Sequence, residues 1–308
     1  MATPVTEADV VRVRVAGKVN LALRSGPRRP DGYHPLATVF QAVSLFDEVE
    51  ASWAEPGRFS VRVLGDQADL VPTGDSNLAV RAARLLAGTW GAKQPLGAEL
   101  VIRKSIPVTG GMAGGSADAA AALLACAVLW DLDITPDELK VLGAQLGADV
   151  PFCLAGGTAL GTGRGDQLAP VLSRGSYHWV LGFSDAELPT PAVFAKFDEL
   201  GLGTRPLEVP AGLLNALVGG DVGSLGRALV NDLEPAALAL RPQLAQVMEA
   251  GREFGAVGAL ISGSGPTVAF LAANEPAAVD LSVKLSSEGL CRAVKRVSGP
   301  VPGARLVV

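Results

Sequence analysis

The stretch Pro107-Val108-Thr109-Gly110-Gly111-Met112-Ala113-Gly114-Gly115-Ser116-Ala117-Asp118 constrains this chain more than any other. It leads from a strand pattern at Ala98 to Arg103 into an alanine-rich run from Ala117 to Trp130. Four of the six residues from 110 to 115 are glycine, so the backbone can take positive φ and turn successive N–H groups into one concavity. The run that follows has few polar positions, which predicts a helix buried on nearly all sides and a rigid anchor for the turn. A helix starting near Ser116 adds unpaired N–H groups and the positive end of its dipole, both favourable to bound phosphate.

The same residues also suit a packing turn that lets a helix lie close to a sheet, and two familiar phosphate motifs fail here. Gly110 and Gly115 have the spacing of a Walker loop, but Ser116-Ala117 stands where lysine and a hydroxyl residue are required. A dinucleotide fingerprint needs alternating glycines, and these are paired, which disfavours a nicotinamide-dependent oxidoreductase. Cationic help for a phosphate must come from elsewhere in the chain.

The 308 residues can bury a large core, in all expectation as two domains divided near residue 170, 1–170 and 171–308. With 49% apolar and 19% charged residues the chain is an ordered protein. A net charge of −5 gives no sign of nucleic-acid binding. Cys126, Cys153 and Cys291 are too few and too far apart for a disulfide framework or a metal pair. Only His34 and His178 are present, which excludes a histidine-rich metal centre. Met1 to Asp9 is polar, without an apolar signal core, and the longest uncharged run, 256–274, is broken by glycine, proline and serine. A cytoplasmic protein with no membrane partner is expected.

Val11, Val13 and Val15 alternate with Arg12 and Arg14, the period of a half-buried strand. Further strands are predicted around Val39 to Leu45, Phe59 to Leu64, Trp179 to Phe183, Thr267 to Ala272 and Arg292 to Val297. A helix is predicted over Ser76 to Gly88, capped by Asp75, with Leu78, Ala82 and Leu85 as its buried stripe. Thr135-Pro136-Asp137-Glu138 is a capping-box start for a helix ending at Gly147. Later helices are predicted at Ala192 to Leu200, Leu213 to Leu229, Gln243 to Phe254 and Pro276 to Glu288, and the glycine-rich 155–165 segment reads as the end of the first domain. Strands and helices alternating in both halves predict an α+β fold.

Three constellations could carry chemistry. Lys18 is a lone lysine in the apolar segment Ala16 to Leu23, either an edge charge or a cation held for a ligand. Asp149, in Gly147-Ala148-Asp149-Val150-Pro151-Phe152, is either a helix-end cap or a carboxylate placed in a poorly hydrated cleft. Ile261-Ser262-Gly263-Ser264-Gly265-Pro266-Thr267 is a second glycine–serine turn, for which an ordinary hairpin competes.

Taken together and in order, these segments change the balance. Pro107 to Ala120 resembles the ATP-binding motif of the GHMP kinases, and Ser262 to Thr267 resembles that superfamily's C-terminal motif. Ala16-Gly17-Lys18-Val19-Asn20-Leu21-Ala22-Leu23, Arg29-Pro30-Asp31-Gly32-Tyr33-His34-Pro35-Leu36 and 147–152 narrow the resemblance to the branch acting on the cytidine diphosphate of methylerythritol. The likeness runs from about residue 10 to 300. One departure is visible: the family loop usually reads Gly-Leu-Gly-Gly-Gly-Ser-Ser, and here Ala113 and Ala117 replace a glycine and a serine.

The resemblance implies a two-domain fold, with an N-terminal ATP-binding domain like domain 2 of ribosomal protein S5, a ferredoxin-like C-terminal α/β domain, and the active site in the cleft between them. It implies an alcohol kinase that uses ATP and Mg²⁺ to phosphorylate the 2-hydroxyl of the methylerythritol unit. Pro107, Val108, Thr109, Gly110, Gly111, Met112, Ala113, Gly114, Gly115, Ser116 and Ala117 would then bind ATP, with Ser116 also on the metal. Lys18 would supply the missing cation and Asp149 would accept the hydroxyl proton. Tyr33 and Phe194 would stack on cytosine, with His34 at its edge and Asn20 and Thr190 nearby. Arg28 and Arg29 are candidates for the diphosphate, against the commoner fate of loop arginines, which is solvation. Competing acceptors are homoserine or a mevalonate-type alcohol, and a non-catalytic ligand sensor on the same fold is a further alternative.

Overall fold

The computed structural model describes residues 10–90, 95–185, 187–203 and 205–307, so Met1 to Asp9 lies outside the described residues. The first half runs β1 (Val10–Ser25), β2 (Leu36–Trp53), β3 (Phe59–Gly65), α1 (Leu78–Trp90), β4 (Ala98–Lys104), α2 (Gly114–Leu129), α3 (Pro136–Leu146), α4 (Val150–Ala155), β5 (Thr158–Gly163) and β6 (Gln167–Pro170). The second half runs β7 (Tyr177–Phe183), α5 (Thr190–Glu199), α6 (Ala211–Gly219), α7 (Val222–Ala228), β8 (Val230–Asn231), α8 (Glu234–Leu240) and α9 (Gln243–Glu253). It ends with β9 (Gly258–Ile261), β10 (Val268–Ala272), α10 (Glu275–Ser287), β11 (Ala293–Gly299) and β12 (Arg305–Leu306). The expected α+β class holds.

Two sheets organise the chain. The first has the order β12-β1-β2-β4-β3; β5 extends β2 on its early half and carries β6, and β8 lies parallel to β1. Its long antiparallel pair follows directly from the alternation in β1. Val13 and Val15 are fully buried, while Arg12 and Arg14 sit opposite Glu50 and Glu48 and pair with them at 2.9 and 2.7 Å. The register shifts at Ala16/Gly17 and again at Asn20/Ala22. Such irregularities re-aim side chains, and these two bracket Lys18 and Asn20, which share one face of the strand.

The second sheet, β11-β7-β10-β9, is wholly antiparallel. Its core joins Val180, Val268 and Phe270 to Val193 and Phe197 of α5, Val247 of α9 and Leu281 of α10. The core of the first sheet is closed by α2, whose alanines from 119 to 122 are fully buried, as its composition predicts. No helix among the described residues is long and apolar enough to cross a membrane.

Several local expectations need correction. Asn77, not Asp75, caps α1 through bonds to the N–H groups of Ala79 and Val80, while Asp75 pairs with Arg84. The buried stripe of α1 is Ala79, Val80, Ala82, Ala83 and Leu86, with Leu78 and Leu85 partly buried at its margin. The helix predicted over 213–229 is two, α6 and α7, broken where Gly220 takes φ 71° and Asp221 caps the next turn. Residues 158–163 form β5, an integral strand of the first sheet. The capping box at Thr135 and Glu138 is present as predicted.

Candidate active site

The glycine turn fills the corner between β4 and α2. Thr109, Gly111 and Ala113 all have positive φ (51°, 73° and 62°), which folds the backbone back on itself before the helix begins. Glycine is required at 111, since a Cβ there would fall 2.0 Å from the Ser262 carbonyl oxygen. Ala113 holds the N-cap position of α2 without a side-chain cap, so the first N–H groups of this 16-residue helix are not capped by a side chain. Gly114, Gly115 and Ser116 line a cleft of about 430 Å³ at that point.

A buried charge cluster fixes the corner from beneath. The Lys104 ammonium donates to Asp47 Oδ2 (2.5 Å) and to Asp118 Oδ2 (2.9 Å), and Asp47 Oδ1 accepts from the backbone N–H groups of Ser105 and Ile106. Burial alone would pull the Lys104 pKa down, but Asp118 and Asp47 outweigh it and raise it. Burial pushes the Asp118 carboxyl up to about 7, against the opposing pull of Lys104.

Lys18 is buried, 4% exposed, and is not an edge charge. Its Nζ donates to Asn20 Oδ1 at 2.6 Å and to the Gly111 carbonyl oxygen at 2.9 Å, and stands 5.6 Å from the centre of the Phe40 ring. The Asn20 amide donates in turn to Thr38 Oγ1 (2.8 Å), which donates to the Ala22 carbonyl (2.7 Å). Burial depresses the Lys18 pKa, offset in part by the charge of Asp149 and then by Cys153. Asp149 occupies the N-cap position of α4, yet its carboxylate makes no capping bond, so it is not committed to the helix. It lines the same cleft as Lys18.

The glycine–serine turn is a hairpin between β9 and β10, and it also meets the glycine loop. Ser262 Oγ donates to the Gly111 carbonyl at 3.1 Å, so that one oxygen accepts from both Lys18 and Ser262. Gly263, at φ 57°, passes so close that a Cβ would lie 3.1 Å from Lys18 Nζ. Thr190 and Ser264 hydroxyls share a 2.8 Å bond. Asn231 holds the turn by donating to the Ile261 and Gly263 carbonyls, each at 2.7 Å. Ser262 belongs to the turn that the sequence marks out, but Asn231 does not stand out in it; an asparagine between two apolar helices carries no distinctive spacing.

Of the eleven loop residues expected at ATP, Thr109, Gly110, Gly111 and Ala113 to Ser116 line the cleft. Pro107, Val108, Met112 and Ala117 do not; Met112 and Ala117 are fully buried, and the Val108 N–H is bonded to Gln67. Asn20, Thr190 and Phe194 line the cleft with Lys18 and Asp149, whereas Tyr33 and His34 line an adjoining cavity of about 360 Å³. There His34 stacks on Phe194 with ring centres 4.6 Å apart, and its Nε2 bonds Asp198 at 2.7 Å. Phe194 therefore has one face covered by His34. Arg28 and Arg29 line neither space; Arg28 is spent on the Gly32 carbonyl within its own loop.

Known proteins match both halves. The family models for the GHMP kinases N terminal domain and the GHMP kinases C terminal region match residues 77–157 and 213–290. The chain is 50% identical over 301 residues to a 4-diphosphocytidyl-2-C-methyl-D-erythritol kinase of Cutibacterium acnes, covering 96% of this chain and 97% of that one. It is 52% identical to one from Mycolicibacterium smegmatis, with 96% and 92% covered. A crystal structure of a 4-(cytidine 5'-diphospho)-2C-methyl-D-erythritol kinase superposes with a TM-score of 0.75 at 33% identity, covering 93% and 98%. A homoserine kinase from Cytophaga hutchinsonii shares the fold alone, with a TM-score of 0.76 at 18% identity over the whole of both chains.

Proposed function

Because the chain belongs to the 4-diphosphocytidyl-2-C-methyl-D-erythritol kinases of the GHMP superfamily, we propose that its cleft and the adjoining aromatic cavity form one bipartite substrate site. The enzyme transfers the γ-phosphoryl group of ATP to the 2-hydroxyl of 4-diphosphocytidyl-2-C-methyl-D-erythritol, giving the 2-phosphate and ADP in the non-mevalonate route to isopentenyl diphosphate. Within it, residues 1–170, joined in their sheet by β8 and β12 of the later half, form the ATP-binding domain, and the rest of 171–308 the domain that completes the acceptor site.

Phosphoryl transfer asks a protein for alignment and charge stabilisation more than for covalent chemistry. The N–H groups at the start of α2 hold the ATP phosphates, where the helix dipole favours their charge. Asp149 accepts the proton of the 2-hydroxyl as its oxygen bonds to the γ-phosphorus and the bridge to the β-phosphate breaks, releasing ADP. Lys18 offsets the charge developing on the attacking oxygen. Cytosine lies between Tyr33 and the face of Phe194 not covered by His34, and Asn20 and Thr190 border the methylerythritol chain.

The oxygen donors suit Mg²⁺. Ser116 presents a hydroxyl, a hard oxygen donor, at the third residue of α2 beside the cleft. Mg²⁺ takes oxygen ligands and keeps several waters, so Ser116 would hold it with phosphate oxygens. When bound, the ion neutralises charge on those oxygens.

The convergence of Lys18, Asp149 and the first turn of α2 on one cleft carries this assignment of roles. Purified protein with ATP and Mg²⁺ should release ADP when offered the cytidine-diphosphate acceptor, and not with homoserine or mevalonate. ADP release with either of those alcohols at a comparable rate would refute it.

A further inference from the structure

The catalytic cleft and the aromatic cavity share four lining residues: Leu36, Ala148, Arg164 and Phe194. Any ligand with its base in one space and its reacting hydroxyl in the other must pass along that wall. For the acceptor proposed above, the portion that crosses is the diphosphate. Three of the four wall residues are apolar. Arg164 is the single cation among them, and it comes from the turn between β5 and β6, not from the arginine-bearing loop before β2.

Its geometry suits that place. The guanidinium stands 5.7 Å from the centre of the Tyr33 ring, packed against the residue assigned to the base. Asp166 accepts from Nε at 3.2 Å and from Nη2 at 2.8 Å, and the Ala144 carbonyl accepts from Nη2 at 3.4 Å. Those bonds engage Nε and Nη2 and orient the fork, which also interacts with the Tyr33 side chain, and none of them uses Nη1. The arginine side chain is 47% exposed, so water screens its charge against Asp166 and the guanidinium retains attraction for a second anion. A fixed planar fork beside an aromatic ring is a good receptor for phosphate oxygens.

We propose that Arg164 is a specificity-determining residue that binds the diphosphate of the acceptor and so couples recognition of the base to placement of the alcohol. The proposal rests on the bipartite site described above. It is tested by calorimetric titration of the full-length protein with CDP and, separately, with cytidine, which presents the same base without the diphosphate. Wild-type protein should bind CDP more tightly than cytidine. Arg164→Met should weaken CDP by about tenfold, the loss of one charge-assisted contact, and leave cytidine within about twofold. Arg164→Gln should show the same split, with the KM for ATP unchanged in both.

Equal weakening of CDP and cytidine would overturn the proposal, since Arg164 would then only shape the base cavity. Unchanged CDP affinity in both variants would overturn it as well. Wild-type protein that bound neither ligand would overturn the bipartite site itself, and this role with it.

Discussion

Asp118 and Lys104 form an ion pair of 2.9 Å beneath the first turns of α2, in a cluster with Asp47 that leaves the second oxygen of Asp118 buried without a partner. Two carboxylates and one ammonium carry an excess negative charge out of water, so the cluster relieves itself by taking up a proton. Asp118 is the group that burial pushes from 3.8 to about 7.

The consequence for stability has a definite sign. A carboxyl whose pKa is raised on folding binds more protons in the folded state between the two values. Its contribution to stability is therefore full below about pH 4 and lost as the pH rises through 7. Thermal melts at pH 5 and pH 8 should show the wild type losing more Tm between them than Asp118→Asn. An identical loss in both proteins would remove Asp118 from this role.

Asp149→Asn should fold normally, because the side chain caps nothing, and should lose about 10²–10⁴ in kcat. Steady-state kinetics with circular dichroism as the folding control decide it. Near-normal turnover would assign the proton to another group.

Tyr33→Ala should raise the KM for the cytidine acceptor and leave that for ATP unchanged, since Tyr33 lines only the aromatic cavity of the two. Stacking worth about 1–3 kcal/mol per base corresponds to a rise of roughly five- to 150-fold. Equal rises for both substrates would argue against a stack at this ring.

Ala113→Gly should stabilise the protein by about 0.5–1 kcal/mol, because alanine at φ 62° carries the left-handed penalty that glycine escapes. Urea denaturation measures it. A loss of stability would mean that the packing of the half-buried methyl group outweighs the backbone strain.

Much of the site was legible because its chemistry depends on local residue types. The strand–turn–helix unit, the cradle and the capping box at Thr135 announce themselves in a few adjacent positions. Lys18 and Asp149 were ambiguous singly, and it takes the burial of Lys18, the uncapping carboxylate of Asp149 and the cleft they share to argue against an edge charge and a cap. What stayed hidden depends on contacts between distant segments. Arg164 follows an ordinary Thr162-Gly163 pair and looks like any turn arginine until β5 joins the first sheet. Arg28 and Arg29 looked better placed because they neighbour Tyr33 in sequence, although their loop turns back on itself. The break between α6 and α7 was missed because apolar spacing continues across Gly220 while the backbone does not.

The pairing of β12 with β1 bears on how the molecule is made. Val13 and Arg14 take their neighbours on one side from Leu306 and Arg305, and Leu23 takes Asn231. A ribosome delivers β1 nearly three hundred residues before the strand that covers this edge. During synthesis that edge stays open, with unpaired backbone groups of the kind other chains can add to. The strand that presents Lys18 is thus translated long before its outer edge is enclosed.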